Sequence, residues 1–253
     1  TLGFCNVFVG NRSGESMDSG TNNTFIGVIS GGNNCVGCCN TFVGSGAGFG
    51  GTQSCNNVFV GFFSGYNSET SGNVFIGAFS GESNKSGTSN LIMGLCAGYS
   101  STQSSFLTIV GNCSGVSNCT SGNTFIGFAS GRCNTTGSSN TFIGLCTGFL
   151  NTTGQSNTII GASAGYATTT GSSNTFIGQR SGMNNTTGCQ NVFIGANSAQ
   201  TVTTGRNLTL VGFGANAAAG ITNSIALGAC ACASVSGILS LGSSTYPLSY
   251  CDT

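Results

Sequence analysis

The chain has no histidine, no tryptophan and a single proline, and its 253 residues carry only five basic and five acidic side chains. Each absence excludes something. Without histidine, the commonest general base and the Cys–His nucleophile are both missing. The acids that share a repeat phase, Glu15 and Glu82, are too far apart in sequence to form a paired carboxylate site. Zero net charge removes the source of steering onto nucleic acid or an anionic membrane. No run approaches the roughly 18 apolar residues of a membrane helix, so membrane insertion is not expected. The sequence shows no signal peptide and starts at Thr1 rather than Met, which reads as a processed or partial mature chain.

What is present is glycine, 44 residues of it, placed with a period. Asn-Thr-Phe-Ile-Gly stands at residues 23–27, 123–127, 140–144 and 174–178. Near copies end at Gly10, Gly44, Gly61, Gly77, Gly94, Gly111, Gly161, Gly195, Gly212, Gly228 and Gly242. Of the fourteen steps between these glycines, ten are 17 residues, three are 16 and the last is 14. Only a repeat architecture holds such a register.

Taking the glycine as position zero, −1 is Val, Ile, Leu or Met, −2 is mostly Phe, and −3 is mostly Thr or Val. These residues favour strands, and no helical stripe is present. The glycine permits a bend, and the rest of each unit is polar. A unit of this size cannot bury an apolar face alone, whereas stacked coils can. The expected fold is therefore all-β: a parallel β-solenoid, or β-roll, of about fifteen coils over residues 1–242, with a cap or docking tail at 243–253.

Side chains alternate across a strand, so −1 and −3 face one way and −2 the other. A solenoid wall has one inner face. Either the Phe row or the Ile/Val row then lies outside, unless the polar leg of each coil folds over it. The Phe row, Phe8, Phe25, Phe42, Phe59, Phe75, Phe125, Phe142, Phe176 and Phe193, is the candidate ladder for self-association. The expected partner is the chain itself, as a homo-oligomer, either a trimer or a head-to-tail filament.

Residues 223–242, Asn-Ser-Ile-Ala-Leu-Gly-Ala-Cys-Ala-Cys-Ala-Ser-Val-Ser-Gly-Ile-Leu-Ser-Leu-Gly, resemble the short repeats of trimeric autotransporter adhesin heads. The longer units over residues 6–212 are similar to repeats of phage tail-fibre and bacterial surface proteins. The resemblance implies left-handed parallel β-rolls that assemble as homotrimers.

Fourteen cysteines and ten Asn-X-Ser/Thr sequons remain to be placed. Cys96 and Cys113 share phase +2, and Cys38 and Cys55 share phase −6, each pair in adjacent coils. At about 4.8 Å per coil these are candidate disulfides. Cys119 and Cys133, at +8 and +6, are a third candidate pair. Disulfides would place the chain outside the cytosol. A metal reading of Cys35-Val-Gly-Cys38-Cys39 lacks a matched second pair, and no metal or other cofactor is expected. Five sequons, Asn84, Asn118, Asn134, Asn151 and Asn185, fall at +7 and read as an edge for covalent glycans, with an unmodified asparagine ladder as the alternative. Glu69 and Lys85, both at +8 in adjacent coils, read as a surface ion pair.

Three functions follow. The first is a structural subunit of an extracellular or surface fibre, with no enzymatic activity. The second is an adhesin or receptor-binding module using the irregular ends, 3–11 and 245–253. The third is an ice-binding solenoid, drawn from Thr135/Thr136, Thr152/Thr153, Thr169/Thr170, Thr186/Thr187 and Thr203/Thr204 at +8 and +9 of consecutive coils.

Overall fold

The computed structural model describes residues 3–243; the tail expected beyond them lies outside the described residues. The chain forms two compact units, Thr1–Ala129 and Ser130–Thr253. Both are all-β, parallel β-solenoids built from the same repeat.

The first unit carries eight three-residue strands: β1 (Val7–Val9), β2 (Thr24–Ile26), β3 (Thr41–Val43), β4 (Val58–Val60), β5 (Val74–Ile76), β6 (Leu91–Met93), β7 (Thr108–Val110) and β8 (Thr124–Ile126). The second carries β9 (Thr141–Ile143), β10 (Thr158–Ile160), β11 (Thr175–Ile177), β12 (Val192–Ile194) and β13 (Thr209–Val211). It continues through β14 (Asn216–Ala217), β15 (Ile225–Leu227), β16 (Cys232–Ala233) and β17 (Leu239–Leu241). Strand pairing is parallel and in phase, so each −2 residue lies beside the −2 residue of the next coil: Phe25 beside Phe42, Phe42 beside Phe59, Phe176 beside Phe193.

The −2 column is the core. Phe25, Phe42, Phe59, Phe75, Phe125, Phe142, Phe176 and Phe193 are fully buried, and Ile92, Ile109 and Ile159 fill the coils that lack Phe. Their rings stack along the coil axis: Phe25–Phe42, Phe42–Phe59, Phe59–Phe75 and Phe176–Phe193 have centroids 4.7–4.9 Å apart and planes within 8°. That spacing is the interstrand distance itself, so the sheet sets the ring stack. Burial of each side chain contributes about 1.5–3 kcal/mol. In the last coils the column tapers through Leu210 and Ala226 to Ser240 as the repeat shortens to 14 residues.

Two glycine positions make this packing possible. At position zero φ is strongly positive, and a Cβ on Gly144 would lie 2.8 Å from the carbonyl oxygen of Gly161 in the next coil. At +4 the backbone is left-handed and passes under the ring. A Cβ on Gly148 would sit 2.6 Å from the Phe142 ring. A methyl group at either place would push coils apart or displace the ring.

The 16-residue steps leave the strand register intact because the polar leg absorbs the missing residue. Asn40 Nδ2 donates to Ser54 O, fourteen residues on, at 2.6 Å; Asn57 Nδ2 donates to Thr70 O, only thirteen on, at 2.7 Å.

Candidate functional site

With −2 directed inward, −1 and −3 face outward. The Phe row proposed as the association ladder is therefore corrected. Of those nine rings, only Phe8, in the first described coil, is exposed, and the others line the coil interior. The physical reason lies in the neighbours. Position −4 shares the inner side with −2 and is mostly Asn, while the +4 glycine leaves a hollow that a flat ring fills.

The outer face is consequently the aliphatic one. Its −1 column includes Val9, Ile26, Ile126, Ile177, Ile194, Leu227 and Leu241 as exposed side chains, with Ile26 at 39% and Ile177 at 37% of full exposure. The −3 column beside it is mostly Thr, with Val, Leu or Ile in the other coils, and neither column contains a charge. Beyond the glycine, Val28, Leu95, Phe128, Leu145 and Phe213 are exposed as well.

The +7 sequons are also corrected. Asn84, Asn118, Asn134, Asn151 and Asn185 are fully buried, so none of them can carry a glycan in the folded chain. They act on the backbone instead. Asn84 Oδ1 accepts from Gly87 N at 2.8 Å and Asn185 Oδ1 from Gly188 N at 3.1 Å, closing the polar corner, and Asn151 Nδ2 donates to Asn134 Oδ1 at 2.6 Å. Sequons at Asn11, Asn22, Asn112, Asn184 and Asn207 are exposed. The sequence reading missed a second buried ladder, at −4. Asn157 Nδ2 donates to Asn140 Oδ1 (3.1 Å) and to Gly171 O (2.9 Å), while Asn157 Oδ1 accepts from the backbone and side chain of Asn174 (3.0 and 3.1 Å). The alternation rule places −4 beside −2, which was the available signal.

All thirteen described cysteines are free thiols. Cys38 and Cys55 do stack, but on a polar ladder at −6, where a backbone N–H is accepted by the side chain of the next coil. Cys38 N donates to Cys55 Sγ at 3.1 Å, Cys55 N to Ser71 Oγ at 3.0 Å, and Thr88 N to Ser105 Oγ at 3.0 Å. Hydrogen bonding from Thr21, first from its backbone and then from its hydroxyl (Oγ1 to Cys38 Sγ, 3.7 Å), holds the Cys38 thiol below the usual range. Burial pushes Cys55 and Cys96 up, and Cys113 beside Cys96 adds to the rise. Cys96 and Cys113 both occupy left-handed +2 corners, with φ of 53° and 54°. Cys119 is exposed, its thiol directed at Ser117 O (3.5 Å), and Cys133 is half-buried in the second unit.

The +8 threonines form a third ladder. Thr135, Thr152, Thr169 and Thr186 each donate from Oγ1 to the carbonyl of the threonine one coil on, at 3.0–3.2 Å. Thr136, Thr153, Thr170, Thr187 and Thr204 at +9 remain exposed. Among the described residues the one ion pair is Arg12–Glu15, at 2.6 Å, and the expected Glu69–Lys85 pair is not made. No group of three or more His, Cys, Asp or Glu side chains is placed to hold a metal ion among the described residues, and no helix there is long and apolar enough to cross a membrane.

No protein-family model matches the chain, and no curated protein matches it. The likeness to adhesin heads and tail-fibre repeats thus holds at the level of the parallel β-solenoid and is not specific to either group.

Proposed function

We propose that this chain is a non-catalytic structural element of an extracellular or surface fibre, associating with copies of itself through the aliphatic face formed by positions −1 and −3. The observation that carries this reading is the uncharged outer face that each unit presents. Soluble monomers rarely leave a large contiguous apolar patch exposed, and neither outer column carries a charge or a proline. Two columns about 6.7 Å apart, over eight coils at about 4.8 Å each, give on the order of 500 Å² in the first unit. The second unit carries a similar face. Each face is a large part of the roughly 800 Å² that a standard interface takes from each partner. The small charge of the chain supplies little repulsion to keep copies apart.

Sedimentation velocity and electron microscopy test it. Concentration-dependent oligomers or filaments are expected, and the exposed-face variants Ile126→Lys and Ile177→Lys should dissolve them while leaving the fold intact by circular dichroism. A wild-type chain that stays monomeric throughout, or lysine variants that assemble normally, would refute the role of this face.

One observation favours a second reading, ice binding. The exposed +9 threonines repeat at the coil spacing over five coils, and the buried +7 asparagines place no glycan beside them. Thermal hysteresis of the purified chain decides this; its absence removes the reading.

A further inference from the structure

One part of the first unit departs from the repeat. Phe62, Phe63, Tyr66, Phe79 and Tyr99 come from three consecutive coils and form a continuous aromatic surface just past the glycine corner. Phe62 and Phe63 stack at 4.2 Å, Phe62 meets Phe79 edge-on at 5.3 Å, Phe63 packs on Tyr66 at 4.6 Å, and Phe79 reaches Tyr99 at 6.4 Å. Phe62 is 46% and Tyr99 38% exposed. What is particular to these coils is the concentration of rings at +1, +2 and +5. Phe63 and Phe79 occupy the left-handed +2 corner, with φ of 52° and 57°, a conformation that bulky side chains disfavour. The same left-handed corner holds Arg12, Ile29 and Arg180 in other coils, so the fold accepts large side chains there. Gly46, one coil earlier, clears the space that the Phe63 ring takes, and a Cβ there would also meet Tyr66 at 3.3 Å.

The polar groups beside them indicate the ligand. Glu82 occupies the same column as Tyr66 and Tyr99, in the coil between theirs. Its carboxylate is held in place, Oε1 accepting from Asn67 Nδ2 at 3.2 Å and Oε2 from Ser83 Oγ at 2.6 Å, and all three residues are half-exposed. The Tyr66 ring is stacked on Phe49 of the preceding coil at 5.0 Å, so Phe62 and Tyr99 are the rings the patch exposes, with this acceptor in the coil between theirs. Flat rings stack on the C–H faces of pyranoses, and an intervening carboxylate accepts sugar hydroxyls. We infer that this aromatic patch is a binding site for a hexose-based oligosaccharide, with Phe62 and Tyr99 as its exposed rings.

Saturation-transfer NMR with cellohexaose, maltohexaose, mannohexaose and N-acetylchitohexaose tests this on the whole chain. Saturable binding of at least one hexaose at millimolar concentration is expected. Phe62→Ala and Tyr99→Ala, both surface truncations, should each weaken it about three- to tenfold. Phe149→Ala should leave it unchanged. Phe149 lies in the same column of the second unit, stacked on Tyr166 at 5.1 Å with the Arg132 guanidinium over it at 5.7 Å, and neither flanking corner position in its coil is aromatic. Failure of all four hexaoses to bind, or binding indifferent to both ring truncations, would overturn the proposal. So would loss of self-association in Phe62→Ala, which would make the patch a contact between copies. Sedimentation of the same samples separates that result from failure of the aliphatic face, which Ile126→Lys and Ile177→Lys probe alone.

Discussion

The backbone N–H of Cys38 donates to the sulfur of Cys55, 3.1 Å away in the next coil. One coil further, Cys55 N–H makes the same bond to the Ser71 hydroxyl at 3.0 Å. The two cysteines are thus members of a ladder in which sulfur and oxygen serve alike as acceptors. Cys55→Ser should therefore change stability by less than about 0.5 kcal/mol. Cys55→Val keeps the bulk but leaves the Cys38 amide without its acceptor, and should cost about 0.5–1.5 kcal/mol. Urea unfolding of the two variants checks the difference. Equal losses would show that the pair acts through packing or a covalent bond.

The same ladder separates the thiols by reactivity. Thr21 lowers the Cys38 pKa, whereas burial raises those of Cys55 and Cys96. The thiolate is the reactive form, so a lowered pKa means more of it at a given pH. At about pH 7.5, below the ordinary thiol value of about 8.5, iodoacetamide should label Cys38 before Cys55 and Cys96. Raising the pH should narrow the gap as the other two ionise. Thr21→Val removes the hydroxyl contribution and should slow Cys38. Peptide mapping by mass spectrometry reads all three rates.

The buried asparagines at −4 offer a sharper test of what holds coils together. Each satisfies backbone groups of its neighbours in a space closed to water. Replacing Asn157 with Ala leaves Gly171 O without the side-chain donor and Asn174 N–H without its acceptor. Each buried group left unpaired costs about 1–3 kcal/mol. Asn157→Ala should then destabilise the second unit by several kcal/mol in chemical unfolding, far more than an exposed control such as Gln155→Ala. Leu107 and Leu208 show where the ladder can stop, since each takes the asparagine position and still donates its own N–H to Asn90 or Asn191 at 3.0 Å.

The solenoid was legible in the sequence because a covalent period leaves stacking as the one way to bury a short strand. Which side of that strand faced inward was not, since Phe and Ile are both apolar and alternation alone is symmetric. Asn23 and Gly31 break the symmetry: the first shares the side of Phe25, and the second leaves no side chain beneath its ring. Polarity misled at Asn134 and Asn151, because an amide that satisfies the backbone of a corner belongs inside despite its hydrophilicity. The cluster around Phe63 went unseen for another reason. It is a departure from the repeat, and reading for a period suppresses what departs from it.

The buried and exposed sequons give the last prediction its contrast. A glycan on Asn84, Asn118, Asn134, Asn151 or Asn185 would have to pass through the coil wall, so a chain modified there cannot close its stack. Asn11, Asn22, Asn112, Asn184 and Asn207 carry no such restriction. Expressed through a eukaryotic secretory pathway and mapped after enzymatic deglycosylation in heavy-oxygen water, folded material should show modification confined to the exposed five. Substituting all five by Gln should yield unglycosylated, folded protein. Occupancy of any +7 asparagine in folded protein would contradict the inward direction of that column, and with it the corner geometry on which the coil closes.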